Sequence, residues 1–195
     1  MIKSKQELNT VLKYERKQYF DYMFPTRMRR IMGYIKHEPI MSIWRWQKAS
    51  RLSDYYHYRV ENSGHLIDKV AYIFWITRRN RIGEKLGIEL QTTNIGKGLF
   101  IYHFGGGIVA NGHWGENVHL HGNNCIGNGG PGQHIPPTLG NNVLVGVGAK
   151  VIGDVKIADN VKIAAGAVVV KDITEPGCTV AGIPAQIVKY STSSN

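Results

Sequence analysis

The sequence has only two cysteines in 195 residues, Cys125 and Cys178. They form neither a CxxC pair nor a disulfide framework, so reduced thiols are expected. Long apolar runs are missing as well. The longest, Val70–Ile76, falls far short of the about 20 residues that span a bilayer. The N-terminal MIKSKQELN has no apolar stretch of the kind a secretory signal needs, and a cytoplasmic chain is expected. Acidic side chains are scarce: 14 Asp+Glu stand against 24 Lys+Arg, a formal net charge of +10. Hydrophobic content, at 43%, is ordinary, which excludes global disorder and allows a core without staples.

What is present is unevenly distributed. Residues 1–86 hold 18 Lys+Arg and 8 Asp+Glu, whereas residues 87–195 hold 6 of each, so the whole cationic excess lies in the first part. That part also carries three of the four Trp. No RNP or zinc-finger pattern accompanies it, and nucleic acid is not expected as a partner. An anionic membrane surface or a solvated helical face remain as readings. Ser4-x-x-Glu7 is a capping-box start before Leu8, Val11 and Leu12, and Ile40, Ile43, Trp44 and Leu52 fit a second amphipathic helix. Ile67–Ile76 followed by Arg78, Arg79 and Arg81 has the apolar face and basic flank of a helix resting on a membrane or on another subunit.

The second part carries a repeat. From Leu139 an aliphatic residue recurs every six positions: Val145, Val151, Ile157, Ile163 and Val169. Four residues after each comes another small or apolar side chain, from Val143 to Ile173. The same spacing appears upstream in two shorter phases, Ile95 and Ile101, then Ile108, Trp114, Leu120 and Ile126. A six-residue period fits neither a helix nor a meander of hairpins. It is the signature of a parallel β-helix with three short sides per coil of about 18 residues. Gly140 and Gly146 are expected at tight corners for their tolerance of positive φ, and Asn141, Asn142, Asp159 and Asn160 suit the same corners. The expected fold is mainly β: a helical region over 1–86, then a β-helix domain over 87–195.

The segments IGKGLFIYHFGGGIV, GVGAKVIGDVKIADNVKIAAGAVVVKDI and AGIPAQIV resemble the hexapeptide-repeat acyltransferases, whose β-helix is left-handed. The likeness is to serine acetyltransferases and to O-acetyltransferases of capsule and exopolysaccharide pathways. It implies a homotrimer that uses acetyl-CoA. By this resemblance His103, in His103-Phe104-Gly105-Gly106, falls on the catalytic histidine, and Glu89 lies near the acidic residue that orients it. An imidazole is a suitable base for a hydroxyl near neutral pH. Gly105 and Gly106 let substrate approach the backbone and offer N–H groups to an oxyanion. The resemblance places the pantetheine arm of acetyl-CoA along Gly146, Val147, Ala165, Gly166 and Pro184, with Lys171 and Lys189 near its phosphates.

On the acceptor side the chain departs from serine acetyltransferases. Where they carry Asp before the catalytic histidine, this sequence has Tyr102. Their Arg-His-Pro is replaced by Gln133-His134-Ile135-Pro136-Pro137, with His134 two positions out of register. A zwitterionic amino acid would lose paired contacts there, whereas Tyr102, Asn111, His113, Trp114 and His134 suit a neutral sugar hydroxyl. The expectation is therefore an O-acetyltransferase acting on a sugar or oligosaccharide in capsular or exopolysaccharide biosynthesis. Serine O-acetylation and a non-catalytic scaffold are the alternatives. Left-handed β-helix carbonic anhydrases hold zinc through an H-x4-H pair. His119 and His121 are spaced H-x-H instead, and no metal is expected.

Overall fold

The computed structural model describes residues 1–21 and 24–190, in two compact units: Met1–Thr93 and a second that begins at Asn94. The first is helical. Helix α1 (Lys5–Phe20) starts where Ser4 Oγ accepts the Glu7 N–H at 3.1 Å, while the Glu7 carboxylate takes the Lys3 N–H at 2.9 Å. Helix α2 (Arg27–Ile35) is capped by Thr26. Helix α3 (Pro39–Ser63) begins on Pro39, whose missing N–H costs nothing in the first turn, and stops at Gly64 with φ 64°. Helix α4 (Leu66–Leu86) stops the same way at Gly87, and strand β1 (Ile88–Leu90) follows. Among the described residues no helix is long and apolar enough to cross a membrane.

Ile2, Leu8, Val11 and Tyr55 form one apolar cluster of this unit. Tyr19, Phe20, Phe24 and Trp44 form an aromatic one, with ring centroids about 6 Å apart. Between α1 and α3 lies a buried ion pair. Arg51 Nη2 and Glu15 Oε1 are 2.7 Å apart with almost no exposed side-chain surface. Burial opposes the guanidinium charge, and the Glu15 carboxylate outweighs it, so the Arg51 pKa lies above its ordinary value.

The second unit is a parallel β-helix. Its first face stacks β2 (Phe100–Ile101), β5 (His119–Leu120), β8 (Leu144–Val145), β11 (Lys162–Ile163) and β13 (Thr179–Gly182), with β14 (Ala185–Lys189) folding back antiparallel as a closing hairpin. Its second face stacks β3 (Ile108–Ala110), β6 (Asn124–Gly127), β9 (Lys150–Ile152) and β12 (Val168–Val169). Its third stacks β4 (His113–Trp114), β7 (Thr138–Leu139) and β10 (Lys156–Ile157), with Ile173 bridging to Ile157. Registers are parallel and offset by one coil, as in Ile101↔Leu120↔Val145↔Ile163. Every residue of the hexad series, upstream phases included, is buried. The inward stack of one aliphatic residue per side is the core.

The corners correct one expectation about glycine. Gly140 and Gly146 do not have positive φ. A Cβ on Gly146 would lie 2.6 Å from the Ala165 amide nitrogen, and one on Gly140 would overlap Asp159 Oδ1 and lie 2.8 Å from the Asp159 nitrogen. These glycines let successive coils touch. On the Gly146 edge the left-handed backbone is supplied by Gly148 and Gly166, at φ 71° and 69°, and on the Gly140 edge by Asn117, Asn142 and Asn160, at φ 56°, 56° and 62°. Their amides form a ladder up one edge, Asn117 to Asn142 and Asn142 to Asn160, each at 3.0 Å. Replacing Gly140 with Ala should therefore destabilise the protein by about 1–3 kcal/mol through overpacking. A urea unfolding curve with an unchanged midpoint would mean that the coils separate freely.

Candidate active site along one edge of the β-helix

The edge where the first face turns into the second gathers the sequence motifs. His103 follows β2 and lies exposed at this corner. On the next coil the same corner is His121-Gly122-Asn123, then Gly146-Val147-Gly148, then Ala165-Gly166. Contacts between coils fix the stack. Gly148 N–H donates to Gly122 O at 3.0 Å and Gly166 N–H to Val147 O at 2.9 Å. A Cβ on Gly122, whose φ is +105°, would come within 2.7 Å of the His103 carbonyl oxygen, so only glycine lets the second coil pass this close to the histidine. Val147 and Ala165 are exposed on this edge and Gly146 is buried. The hairpin after β13 carries exposed Pro184 beyond the last coil.

Gly105 and Gly106 continue the His103 corner. Gly105 faces open space, and Gly106, at φ 79°, leaves room for Asn123, whose Cβ would be 2.8 Å from a side chain there. The turn closes through Gly107 N–H to Phe104 O at 3.1 Å. Tyr102, 37% exposed, lies over His121 with ring centroids 4.3 Å apart and planes 35° off parallel. Its ring also meets Phe100 edge-on at 4.7 Å, and its hydroxyl is 3.5 Å from His119 Nδ1. Burial pushes the pKa of His119 and His121 down, as do, to a lesser degree, His121 acting on His119 and His103 acting on His121. Both shifts favour the uncharged ring. The neutral wall of Phe100, Tyr102, His119 and His121 is assembled on the first face.

Asn124 was not singled out from sequence. It is buried at the start of β6, where its Oδ1 accepts the Gly122 N–H at 2.9 Å and its Nδ2 donates to Gly146 O at 2.8 Å. One amide therefore ties together the two coils that follow the His103 corner. The signal was legible: Asn124 stands four residues after Leu120, where the later coils carry Ala149 and Ala167.

Other sequence candidates lie elsewhere. Trp114 is corrected: at 4% exposure it fills the coil interior, as its hexad phase requires, and cannot stack on a substrate. Asn111, His113 and Lys171 belong to the edge between the second and third faces, and His134 to the loop between β6 and β7 that leaves that edge. One chain therefore does not bring them to His103. The Asn111 Oδ1 is buried without a hydrogen-bond partner. Glu89 is exposed in β1, within the helical unit. Lys189 ends β14.

Comparison with known proteins agrees with the repeat and revises the acceptor. Residues 136–171 match the model described as bacterial transferase hexapeptide (six repeats). A serine acetyltransferase of Synechococcus elongatus is 40% identical over 114 residues, 54% of this chain and 44% of that protein. One from Helicobacter pylori is 41% identical over 105 residues, 52% of this chain and 61% of that protein. The chain spans about half the length of the curated relatives it matches. The crystal structure of serine acetyltransferase from Brucella abortus has the same fold, with a TM-score of 0.71 at 22% identity over 97% of this chain and 72% of that one. A further structure of the Brucella abortus enzyme, in complex with coenzyme A, aligns at a TM-score of 0.65 and 24% identity, over 96% of this chain and 70% of that one.

The expectation of a sugar acceptor in polysaccharide biosynthesis is overturned by these relatives, which are serine acetyltransferases. The structure removes part of its physical basis too, since Trp114 is interior. Contact with an anionic membrane finds no support among them either. The chain has a hexapeptide-repeat fold with N-terminal helices, and what it resembles is the serine acetyltransferases.

Proposed function

We propose that this protein is an acetyl-CoA-dependent serine O-acetyltransferase. One observation carries the reading: a single edge of the β-helix holds exposed His103 and, beyond the His121 coil, the exposed small-residue ladder Val147, Ala165 and Gly166. Acyl transfer from a thioester to a hydroxyl needs a base and a side-chain-poor track for the donor at one place. His103 takes the proton of the serine hydroxyl, and the oxygen attacks the thioester carbonyl. The N–H groups of the glycine corner at Gly105 and Gly106 serve the oxyanion that develops. The thiolate of CoA leaves and takes up the proton, so no covalent acyl-enzyme is required.

In this reading residues 1–86 are a helical cap and 87–195 the catalytic domain, a left-handed β-helix that assembles as a trimer. Asn111, His113, His134 and Lys171 gather at a different edge from His103, and a second copy would bring that edge to the first. Tyr102 and Ile135 replace charged groups that the resemblance expects around the serine, so recognition of its carboxylate and ammonium falls to His113 and His134 from the adjoining copy. Weaker serine binding follows, because hydrogen bonds to charged partners are roughly twice as strong as neutral ones.

The test is release of free CoA thiol from acetyl-CoA on addition of L-serine. Turnover that saturates with serine is expected. Thiol release that ignores serine, or that any alcohol stimulates equally, would end this reading.

A further inference from the structure

The helical unit contains a concave site with no role in acyl transfer. A groove of about 610 Å³ opens between α1, α2 and α3. That size lies within the range of small-molecule sites. Its floor is apolar: Leu12, Phe20, Tyr34 and Trp44, with Phe20 packed edge-on against Trp44 at 6.0 Å. The Tyr34 ring is held from outside the groove lining by Arg45, whose guanidinium carbon is 4.8 Å from the ring centre. Around this floor stand five cations from three helices: Lys13, Arg16 and Lys17 of α1, Arg30 of α2 and Lys48 of α3.

Helix stability accounts for Lys17, a cation in the last turn of α1, but not for the cluster as a whole. Lys13, Arg16 and Lys17 are spaced i, i+3 and i+4, where like charges repel along a helix face. Among the described residues none of these three, nor Lys48, is in an ion pair. The carboxylate nearest to them in sequence, Glu15, points away to Arg51. The single carboxylate in the lining is Asp21, half exposed and 3.9 Å from Arg30. Arg30 is already oriented, with its Nε donating to Phe24 O at 2.9 Å and its guanidinium 6.0 Å from the Phe20 ring centre. A concave surface with low-dielectric walls concentrates the field of such charges on its interior. An extended polyanion would need a stripe of cations, whereas these converge on one recess.

We propose that this groove binds a small organic polyanion with a flat ring, of the nucleoside di- or triphosphate class. The ring lies on the Leu12, Tyr34 and Trp44 floor, and the phosphates face Lys13, Arg16, Lys17, Arg30 and Lys48. The site stands apart from the acyl-transfer reading and does not depend on it.

The test is isothermal titration of the full chain with ATP at near-physiological salt, using the wild type and the Lys17→Glu/Lys48→Glu double variant. Both lysines are exposed, so folding should survive, and a circular dichroism melt of the variant is expected to match the wild type. A Lys17→Ala/Lys48→Ala variant replaces it if the melt differs. One bound ATP is expected, with affinity falling about tenfold or more in the charge-reversed variant and less in the alanine one. Adenosine and inorganic tripolyphosphate should each bind more weakly than ATP. Equal ATP affinity in wild type and variant would overturn the proposal, as would no binding at millimolar ATP. Tripolyphosphate binding as tightly as ATP would overturn the role of the ring.

Discussion

Arg51→Ala should come close to unfolding the helical unit. The guanidinium meets Glu15 through Nη2 at 2.7 Å and Nε at 3.1 Å, and its Nη1 points to the Thr92 carbonyl at 3.4 Å. Asp54, one turn along α3, is buried beside it and accepts from the hydroxyls of Thr92 at 2.6 Å and Thr93 at 3.1 Å. Burial pushes the Asp54 pKa up, and Arg51 acts to lower it. Removing the guanidinium thus strands one carboxylate and loosens the hold on a second. Breaking a buried pair by deleting one partner costs about 3–5 kcal/mol, a large part of the about 5–15 kcal/mol that stabilises an ordinary domain. The check is a double-mutant cycle in urea: Arg51→Met/Glu15→Leu should recover most of the loss, because no charge is then left buried. A double variant as unstable as Arg51→Ala would mean that packing, not the stranded charge, sets the cost.

The β-helix was legible because its core is one-dimensional. A residue every six positions points inward, and a hexad count alone places Leu139, Val145, Val151, Ile157, Ile163 and Val169 in the interior, all buried. The same logic places Trp114 inward, a position that excludes it from a substrate lining. The helical unit was harder to read. Leu8 and Val11 are buried, yet the apolar run in α4 leaves Val70, Ile73 and Phe74 exposed, because its contacts with α3 run through Tyr72 and Asp68 instead. The Arg51–Glu15 pair is invisible to periodicity, since 36 positions separate its members. At the site, the alignment of His103 with Gly146, Val147, Ala165 and Gly166 follows from coil length. The acceptor does not, because Tyr102 has a neutral side chain in any setting and its partners His119 and His121 come from a coil 17 to 19 positions away.

His103→Ala should abolish serine-dependent thiol release while leaving the donor track intact. A positioned general base contributes about 10²–10⁴-fold to rate, and a fall in kcat of that order is expected. The KM for acetyl-CoA should hardly move, because the ladder above the histidine is held by backbone hydrogen bonds and by Asn124, none of which uses the imidazole. The competing base is His121, in the same stack of corners. Its Nε2 is buried with no hydrogen-bond partner, its ring is covered by Tyr102, and burial lowers its pKa, which weakens it as a proton acceptor. His103 is exposed at a corner whose next residues but one, Gly105 and Gly106, leave space for a substrate. His121→Asn should therefore cost much less than His103→Ala, acting through the tilt of Tyr102 and showing mainly in the KM for serine. If the two variants exchange these signatures, with kcat collapsing in His121→Asn and surviving in His103→Ala, the proton is taken one coil higher than proposed. The first-face wall of Tyr102, His119 and His121 would then be the catalytic surface rather than its flank.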